Sequence, residues 1–242
     1  MTDEGARSRA EQTDAFATPR AFRDILLVGA PILAFGVWGT AVGVGTLEGG
    51  ALVNLGYVGM MLVGAALLRR QGSSWRELGL SPPARWGRTA LWGLGAFVGA
   101  VVVFVALQAL AVGVLEAVGV ATPALDQSRF NPIEGNPALY ALMIVLAWTT
   151  IAFGEELFYR AFLLTRLVDL AGVGRWTAIL SAGLIFGLVH FAEGPVGILA
   201  NTGMGVLFGW IFLRRKRNLW ITICGHGLIN TFRFTLLFVG LA

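Results

Sequence analysis

Several polar side chains able to do chemistry lie inside long apolar stretches of this sequence. Glu155, Glu156 and Arg160 fall within "GEELFYRAF", and His190 and His226, the only two histidines of the chain, follow further on. Burying an ionisable group in apolar surroundings is costly unless the group is paired or solvated. These residues are therefore candidates for a functional site.

The two adjacent glutamates differ in the partners that a helix would give them. Glu156 and Arg160 have i,i+4 spacing, which predicts an ion pair on one helical face. Glu155 is rotated by about 100° from Glu156 and does not share that partner. The spacing favours a structural role for Glu156 and a chemical one for Glu155.

The other candidates also have helical spacing. Phe186 precedes His190 by four positions, His226 precedes Asn230 by four, and Arg233 continues the second stripe. Taken alone, any of the histidines or Asn230 could instead hydrogen-bond between helices. Phe186 is interpreted as a packing residue beside His190, and Arg233 as a residue that extends its charge toward the membrane surface or a pore rim.

A glutamate, two histidines and an asparagine can together do hydrolytic chemistry. The carboxylate can take a proton from water, and a histidine with an amide can stabilise a tetrahedral oxyanion. Alternatively, the same residues could hold a divalent metal that activates the water. The HExxH motif of zinc proteases and the GxSxG nucleophile motif are both absent.

The composition is that of a polytopic membrane protein. Of the 242 residues, 56% are hydrophobic and 13% charged, with a mean hydropathy of +0.74; soluble domains carry about 25% charged residues. The net charge of +4 is spread over short basic clusters between apolar runs, which argues against nucleic acid as a partner. Cys224, the single cysteine, excludes a disulfide within the chain and a metal site built on cysteines.

The elements that must position these residues are membrane-spanning helices. Each span needs about 20 apolar residues, and the sequence predicts seven spans, over 25–47, 49–68, 89–115, 135–154, 176–192, 194–213 and 218–242. A break near Gly113 in the long third run would make eight. The predicted fold is all-α, a polytopic transmembrane helical bundle.

The basic residues predict the orientation of the bundle. They concentrate in alternate connections, namely the N-terminal tail, the linker 69–88, the linker after the fourth span and 214–217, whereas the intervening connections hold only Arg129. Positive charge marks the cytoplasmic side, so the N-terminus is predicted inside and the C-terminus outside. We expect a disordered cytoplasmic tail over 1–20, N-terminal transmembrane helices with a linker over 21–134, and a transmembrane core that carries the candidate residues over 135–242.

Helix geometry gives expected depths and contacts for the site. At about 1.5 Å per residue, Glu155 lies roughly 12–15 Å from the cytoplasmic end of its span if that span continues to Leu164. His226 lies about 12 Å from Asn218, and His190 about 21 Å from Arg175. This greater depth of His190 has no explanation in the sequence. Three GxxxG patterns, at Gly95–Gly99, Gly183–Gly187 and Gly205–Gly209, predict close helix packing or a dimer contact.

The motifs resemble those of a known family. "EELFYR", "FGLVH" and "HGLIN" are similar to the EExxxR, FxxxH and HxxxN motifs of the CPBP intramembrane proteases, in the same order. That family includes type II CAAX prenyl endopeptidases and bacteriocin-processing, immunity or lysostaphin-resistance-like proteins. The stretch "WRELGLSPP" at 75–83 resembles a linker motif found ahead of the domain.

The resemblance implies a role for each matching residue. Glu155 would activate the hydrolytic water with help from His190, and His226 and Asn230 would stabilise the oxyanion. Glu156, Arg160 and Phe186 would support the site. The family is described both as metal-dependent and as metal-independent, so Glu155, His190 and His226 are also the candidate ligands of a divalent metal such as zinc.

We therefore predict an integral membrane endopeptidase that cleaves membrane-associated or lipidated, CAAX-like substrates. Its expected partners are membrane lipid and a peptide or lipidated protein. A scaffold or immunity-type binding protein that uses the same cavity is the alternative, and an ion-coupled transporter is a third, for which no repeat of the EExxxR run is present. The composition, rich in Ala and Arg but poor in Lys, indicates a multi-pass protein of a prokaryotic plasma membrane.

Overall fold

The computed structural model describes residues 17–43, 47–120 and 128–241. Within these ranges the chain forms helices and turns, without strands. The main helices are α1 (Ala17–Gly43), α2 (Leu47–Arg70), α3 (Trp86–Ala117), α4 (Pro137–Leu170), α5 (Arg175–Leu188), α6 (Gly194–Arg214) and α7 (Leu219–Phe238). Short helical turns occupy Arg76–Leu80, Ser128–Ile133 and Phe191–Glu193.

The helices confirm the predicted all-α membrane bundle. Within the described residues, 6 helices are long and apolar enough to cross a membrane, and α5 is a shorter apolar helix. The helix α3 continues without a break past Gly113, so this run contains no extra span. Its exterior is apolar, as at Leu91, which is 72% exposed. Such a surface suits contact with lipid rather than water.

The fourth and fifth predicted spans end at different residues from the corresponding helices, α4 and α5. The fourth was predicted to end at residue 154, but α4 continues to Leu170, because the charged residues beyond 154 are buried against partners inside the bundle. The fifth was predicted over 176–192, but α5 ends at Leu188 and His190 lies in the following turn.

The N-terminal tail predicted over 1–20 is mostly outside the described residues. Residues 17–20 form the first turn of α1. The side chain of Arg129 also lies outside the described part of the chain. The predicted domain boundaries at 21, 134 and 135 stay predictions.

The helix α4 forms the centre of the molecule. Nearly all side chains from Leu157 to Leu167 are buried, and they share one apolar core with large rings from α5 and α6, including Phe186, Phe208 and Phe212. The site residues of α4 are therefore surrounded by other helices.

The helices α5 and α6 form a tight antiparallel hairpin. Gly183 lies against Val206, and a Cβ added to Gly187 would lie 2.6 Å from the carbonyl oxygen of Ile198. These contacts confirm close packing at the Gly183–Gly187 pattern. In contrast, a Cβ added to Gly95 would meet no atom within 4 Å, so the first GxxxG pattern makes no such contact.

Candidate active site

The two glutamates lie in a short α-helical turn of an otherwise distorted helix. Ala152–Glu156 is α-helical, whereas Ala147–Ile151 before it and Leu157–Leu164 after it have the wider i→i+5 hydrogen bonding of a π-helix. Such segments are frequent at functional sites. They change the direction of the side chains that follow, so simple helical spacing does not fix the orientation of this turn.

Glu156 connects two helices through one oxygen. Its Oε1 lies 2.9 Å from Nη1 of Arg160, which confirms the ion pair predicted from the i,i+4 spacing. The same oxygen accepts a hydrogen bond from Nδ1 of His226, 3.0 Å away on α7. A carboxylate at Nδ1 fixes the orientation of the imidazole and directs Nε2 to the other side. Glu156 therefore positions His226. The sequence did not predict this contact.

Arg160 is almost fully buried and extends this network to α5 and α6. Its guanidinium carbon lies 4.6 Å from the ring centroid of Phe186 and 5.4 Å from that of Phe208. Cation–π contacts of this kind stabilise a desolvated guanidinium. The supporting role predicted for Arg160 and Phe186 is consistent with these contacts.

Glu155 has two oxygens in different environments. Its Oε1 accepts a hydrogen bond of 2.9 Å from the hydroxyl of Tyr57 on α2. Its Oε2 is buried, has no hydrogen-bond partner among the described residues and lies 3.7 Å from Nε2 of His226. Glu155 and His226 are thus neighbours, as predicted. A buried, unpartnered carboxylate oxygen is well placed to bind a water molecule.

His190 lies to one side of this group. Its Nδ1 donates to the carbonyl oxygen of Phe186 over 2.8 Å, and its ring centroid is 4.9 Å from that of Phe186. Phe186 also contacts His226, at 6.1 Å between centroids, so it separates the two histidines. Among the described residues, His190 makes no hydrogen bond or ion pair with Glu155 or His226. The predicted convergence of the two histidines is therefore indirect.

Asn230 follows His226 by one turn of α7 and has an unused donor. Its Nδ2 is buried, and no atom in the described part of the chain forms a hydrogen bond with it. Arg233, further along the same stripe, has Nη1 3.6 Å from Oε1 of Glu193. The other oxygen of Glu193 accepts from Asn201 at 2.9 Å. Arg233 thus belongs to a separate polar cluster.

The candidate metal ligands do not form a three-ligand site. Among the residues that the structure describes, no group of three or more His, Cys, Asp or Glu side chains could hold a metal ion. The Nδ1 atoms of both histidines are held, by Glu156 and by the Phe186 carbonyl, which leaves Nε2 of each ring available, but the two rings and Glu155 are not gathered around one point. Glu155, His190 and His226 therefore do not fit a metal in this arrangement, and the use of zinc stays a prediction.

Tyr57 is the contact to Glu155 that sequence reasoning missed. It lies in an apolar run of α2, where its hydroxyl was a polar group without an assigned partner. A search of the spans for hydroxyl and amide groups as well as charged ones would have found it, together with Asn54 and Asn201.

The fold and the buried Glu–His cluster define a multi-pass membrane protein with a site suited to hydrolysis. Residues 137–232 match the family model of the type II CAAX prenyl endopeptidase Rce1-like proteins. The chain thus carries an Rce1-like domain over these residues, which confirms the resemblance seen in the motifs. No curated protein and no solved structure matched the chain.

Proposed function

We propose that this protein is an intramembrane endopeptidase that hydrolyses peptide bonds with a water molecule activated by Glu155. The observation that carries the proposal is the free Oε2 of Glu155, buried and 3.7 Å from Nε2 of His226. The Rce1-like domain that contains both residues supports a protease of the CAAX type.

The arrangement supports a general-base mechanism. Oε2 of Glu155 takes a proton from a water molecule, which attacks the carbonyl carbon of the scissile bond, and the protonated carboxyl then delivers the proton to the leaving nitrogen. The developing oxyanion needs donors nearby. Nδ2 of Asn230, which has no hydrogen-bond partner among the described residues, and Nε2 of His226, whose other nitrogen is held by Glu156, are the donors that we propose for this role.

His190 would act differently from the residues above. Its Nδ1 donates to a backbone carbonyl, which leaves Nε2 as an acceptor in the neutral ring. We propose that Nε2 helps to orient the water or the peptide across the Phe186 ring. No step is assigned to a metal, since the candidate ligands do not fit one.

The proposed substrate is a membrane-associated or lipidated peptide with a CAAX-like end. The apolar exterior of the bundle supports an approach through the lipid, with membrane lipid as a constant partner. We propose a prokaryotic plasma membrane as the location, on the composition described above.

Cleavage of a peptide library by the purified protein in lipid tests the proposal. Glu155→Gln keeps the shape of the side chain but removes the base, so we expect cleavage to fall by at least about a hundredfold. Glu116→Gln, at an exposed end of α3, is the matched control and should cleave like the wild type. A chelator is expected to leave the rate unchanged.

Three results would count against the mechanism. Full cleavage by Glu155→Gln would remove Glu155 as the base. Loss of activity with chelator, restored by zinc, would replace the direct mechanism with a metal-assisted one. Binding of a peptide without any cleavage would favour the scaffold or immunity-type alternative.

A further inference from the structure

We propose that Tyr57 is a positioning residue for Glu155, so that the N-terminal helices supply part of the active site. Tyr57 lies on α2, outside the segment 137–232 that matches the protease family. The inference rests on the proposed function, because Tyr57 would orient Glu155, the base of that reaction.

The hydrogen bond from Tyr57 distinguishes the two oxygens of Glu155. The hydroxyl donates to Oε1 over 2.9 Å, and both side chains are buried. Oε2, on the side of His226, has no hydrogen-bond partner within the described ranges of the chain. A free carboxylate can rotate and exchange its oxygens, whereas one held at Oε1 presents Oε2 in a fixed direction. Such positioning of a reacting group is a large part of enzymatic rate enhancement.

A glycine beside Glu155 allows Tyr57 to approach. A Cβ added to Gly154 would lie 3.1 Å from Cβ and 3.2 Å from Cγ of Tyr57. This is closer than ordinary contact, and the base of the tyrosine side chain cannot move without moving α2. The small residue next to the catalytic glutamate therefore permits the helices to come close enough for the hydrogen bond.

A second polar contact fixes the register of α2 against α4. The hydroxyl of Thr150 hydrogen-bonds the side chain of Asn54, about one turn from Tyr57 on α2. Thr150 precedes Glu155 on α4 by about one wide turn. The two contacts lie along the same helix pair, so α2 is held in place next to the glutamate.

Steady-state kinetics of the full-length protein test this role. In Tyr57→Phe the ring stays and only the hydroxyl is lost, so we expect kcat to fall about tenfold to a hundredfold while KM changes by less than about twofold. Tyr140→Phe is the matched control, since it also removes a hydroxyl contact between helices, here to Thr235 at 3.0 Å. It should keep both constants.

A measurement that does not depend on turnover accompanies the kinetics. Infrared difference spectra between wild type and Glu155→Gln identify the carboxyl band of Glu155, and Tyr57→Phe should shift that band while Tyr140→Phe should not. Thermal unfolding checks that both tyrosine variants fold. If Tyr57→Phe unfolds, the spectrum of Gly154→Ala, in which Tyr57 is displaced, takes its place and should show the same shift.

The outcomes separate this inference from the proposed function. An active wild type with an unchanged kcat in Tyr57→Phe, or an unchanged carboxyl band, overturns the role of Tyr57 alone. A rise in KM at constant kcat also overturns it, because that would indicate a residue that binds substrate. A wild type that cleaves no peptide overturns the proposed function and this role together.

Discussion

Glu155 and Glu156 are adjacent in sequence but have unlike surroundings. Glu156 is fully buried and shares one oxygen between Arg160 and His226. Glu155 has one oxygen on Tyr57 and one free. A carboxylate committed to two cationic or donor groups is a poor base, whereas a free buried oxygen is available for a water. The different partners explain how neighbouring residues of one type can take different roles.

The ion pair of Glu156 and Arg160 predicts a strong effect on stability. Glu156→Gln leaves the guanidinium buried without its counter-charge, which should lower the free energy of unfolding by about 3–5 kcal/mol. Replacing both residues, in Glu156→Gln with Arg160→Met, should recover part of that loss. Unfolding by denaturing detergent measures both.

The double variant serves as the control for this prediction. It removes the same contacts without leaving a buried charge. Equal stability of Glu156→Gln and the wild type would contradict the assignment of a desolvated pair. The double variant should remain poorly active in either case, because His226 has lost its carboxylate partner.

At this scale helical spacing predicted the local pairs, whereas the distant pair of Glu155 and His226 was expected from the family motifs and other distant contacts were not predicted. Glu156 and Arg160 are one helical turn apart, so their contact followed from spacing alone. Tyr57 is 98 positions from Glu155, and His226 is 70 positions from Glu156. Contacts of that separation depend on which helices pack together and how they rotate, and nothing local in the sequence specifies either.

The helix pair α5 and α6 shows how elements position the site. Phe186 and His190 depend on α5, and α5 is held against α6 through Gly183 and Gly187. In a membrane the association of helices relies on close packing, because apolar side chains gain little by leaving lipid. The glycine contact is therefore expected to stabilise the pairing of α5 with α6 more than its small contact area suggests.

Gly187→Ala is expected to push α5 away from α6. The added methyl group would lie 2.6 Å from the Ile198 carbonyl, and overpacking of this kind costs about 1–3 kcal/mol. Because Phe186 and His190 are next to it, peptide cleavage should fall as well. Unfolding and cleavage assays on the same preparation measure the two effects.

Gly95→Ala is the matched control for this element. Nothing lies within 4 Å of its added methyl group, and alanine favours a helix by up to about 1 kcal/mol over glycine. Stability should stay the same or rise slightly, and activity should not change. Similar losses in both variants would mean that the effect of Gly187→Ala does not come from the α5–α6 contact.

The ends of helices were harder to predict than their presence. Hydropathy located each apolar run, since the cost of exposing backbone to lipid requires helices there. It ended the fourth span at the first charged residues, although Glu156 and Arg160 neutralise each other inside the bundle. It extended the fifth through His190, although the chain turns there at φ −91° and ψ 23°. Hydropathy does not report such internal partners.

The whole molecule has an orientation that follows from helix pairing and charge. In the α5–α6 hairpin, Gly183 faces Val206 and Gly187 faces Thr202. Continuing this antiparallel pairing brings Arg175 next to Arg214. Both basic residues then lie at one membrane face, together with Lys216, and the turn at Phe191–Glu193 approaches the other. The short helix α5 and the turn after it together therefore extend over the same distance as α6, in the opposite direction.

This pairing predicts an odd number of crossings, with the N-terminus and the basic turn after α6 in the cytoplasm. Single cysteines introduced into a Cys224→Ala variant can report this topology. Lys216→Cys should react with a membrane-impermeant maleimide only from the cytoplasmic side, and Ala192→Cys only from the outside. If Ala192→Cys reacted only from the cytoplasmic side and Lys216→Cys only from the outside, α5 would be a re-entrant segment rather than a span. The C-terminus would then lie on the same side as the N-terminus, and substrates would reach Glu155 by a different route.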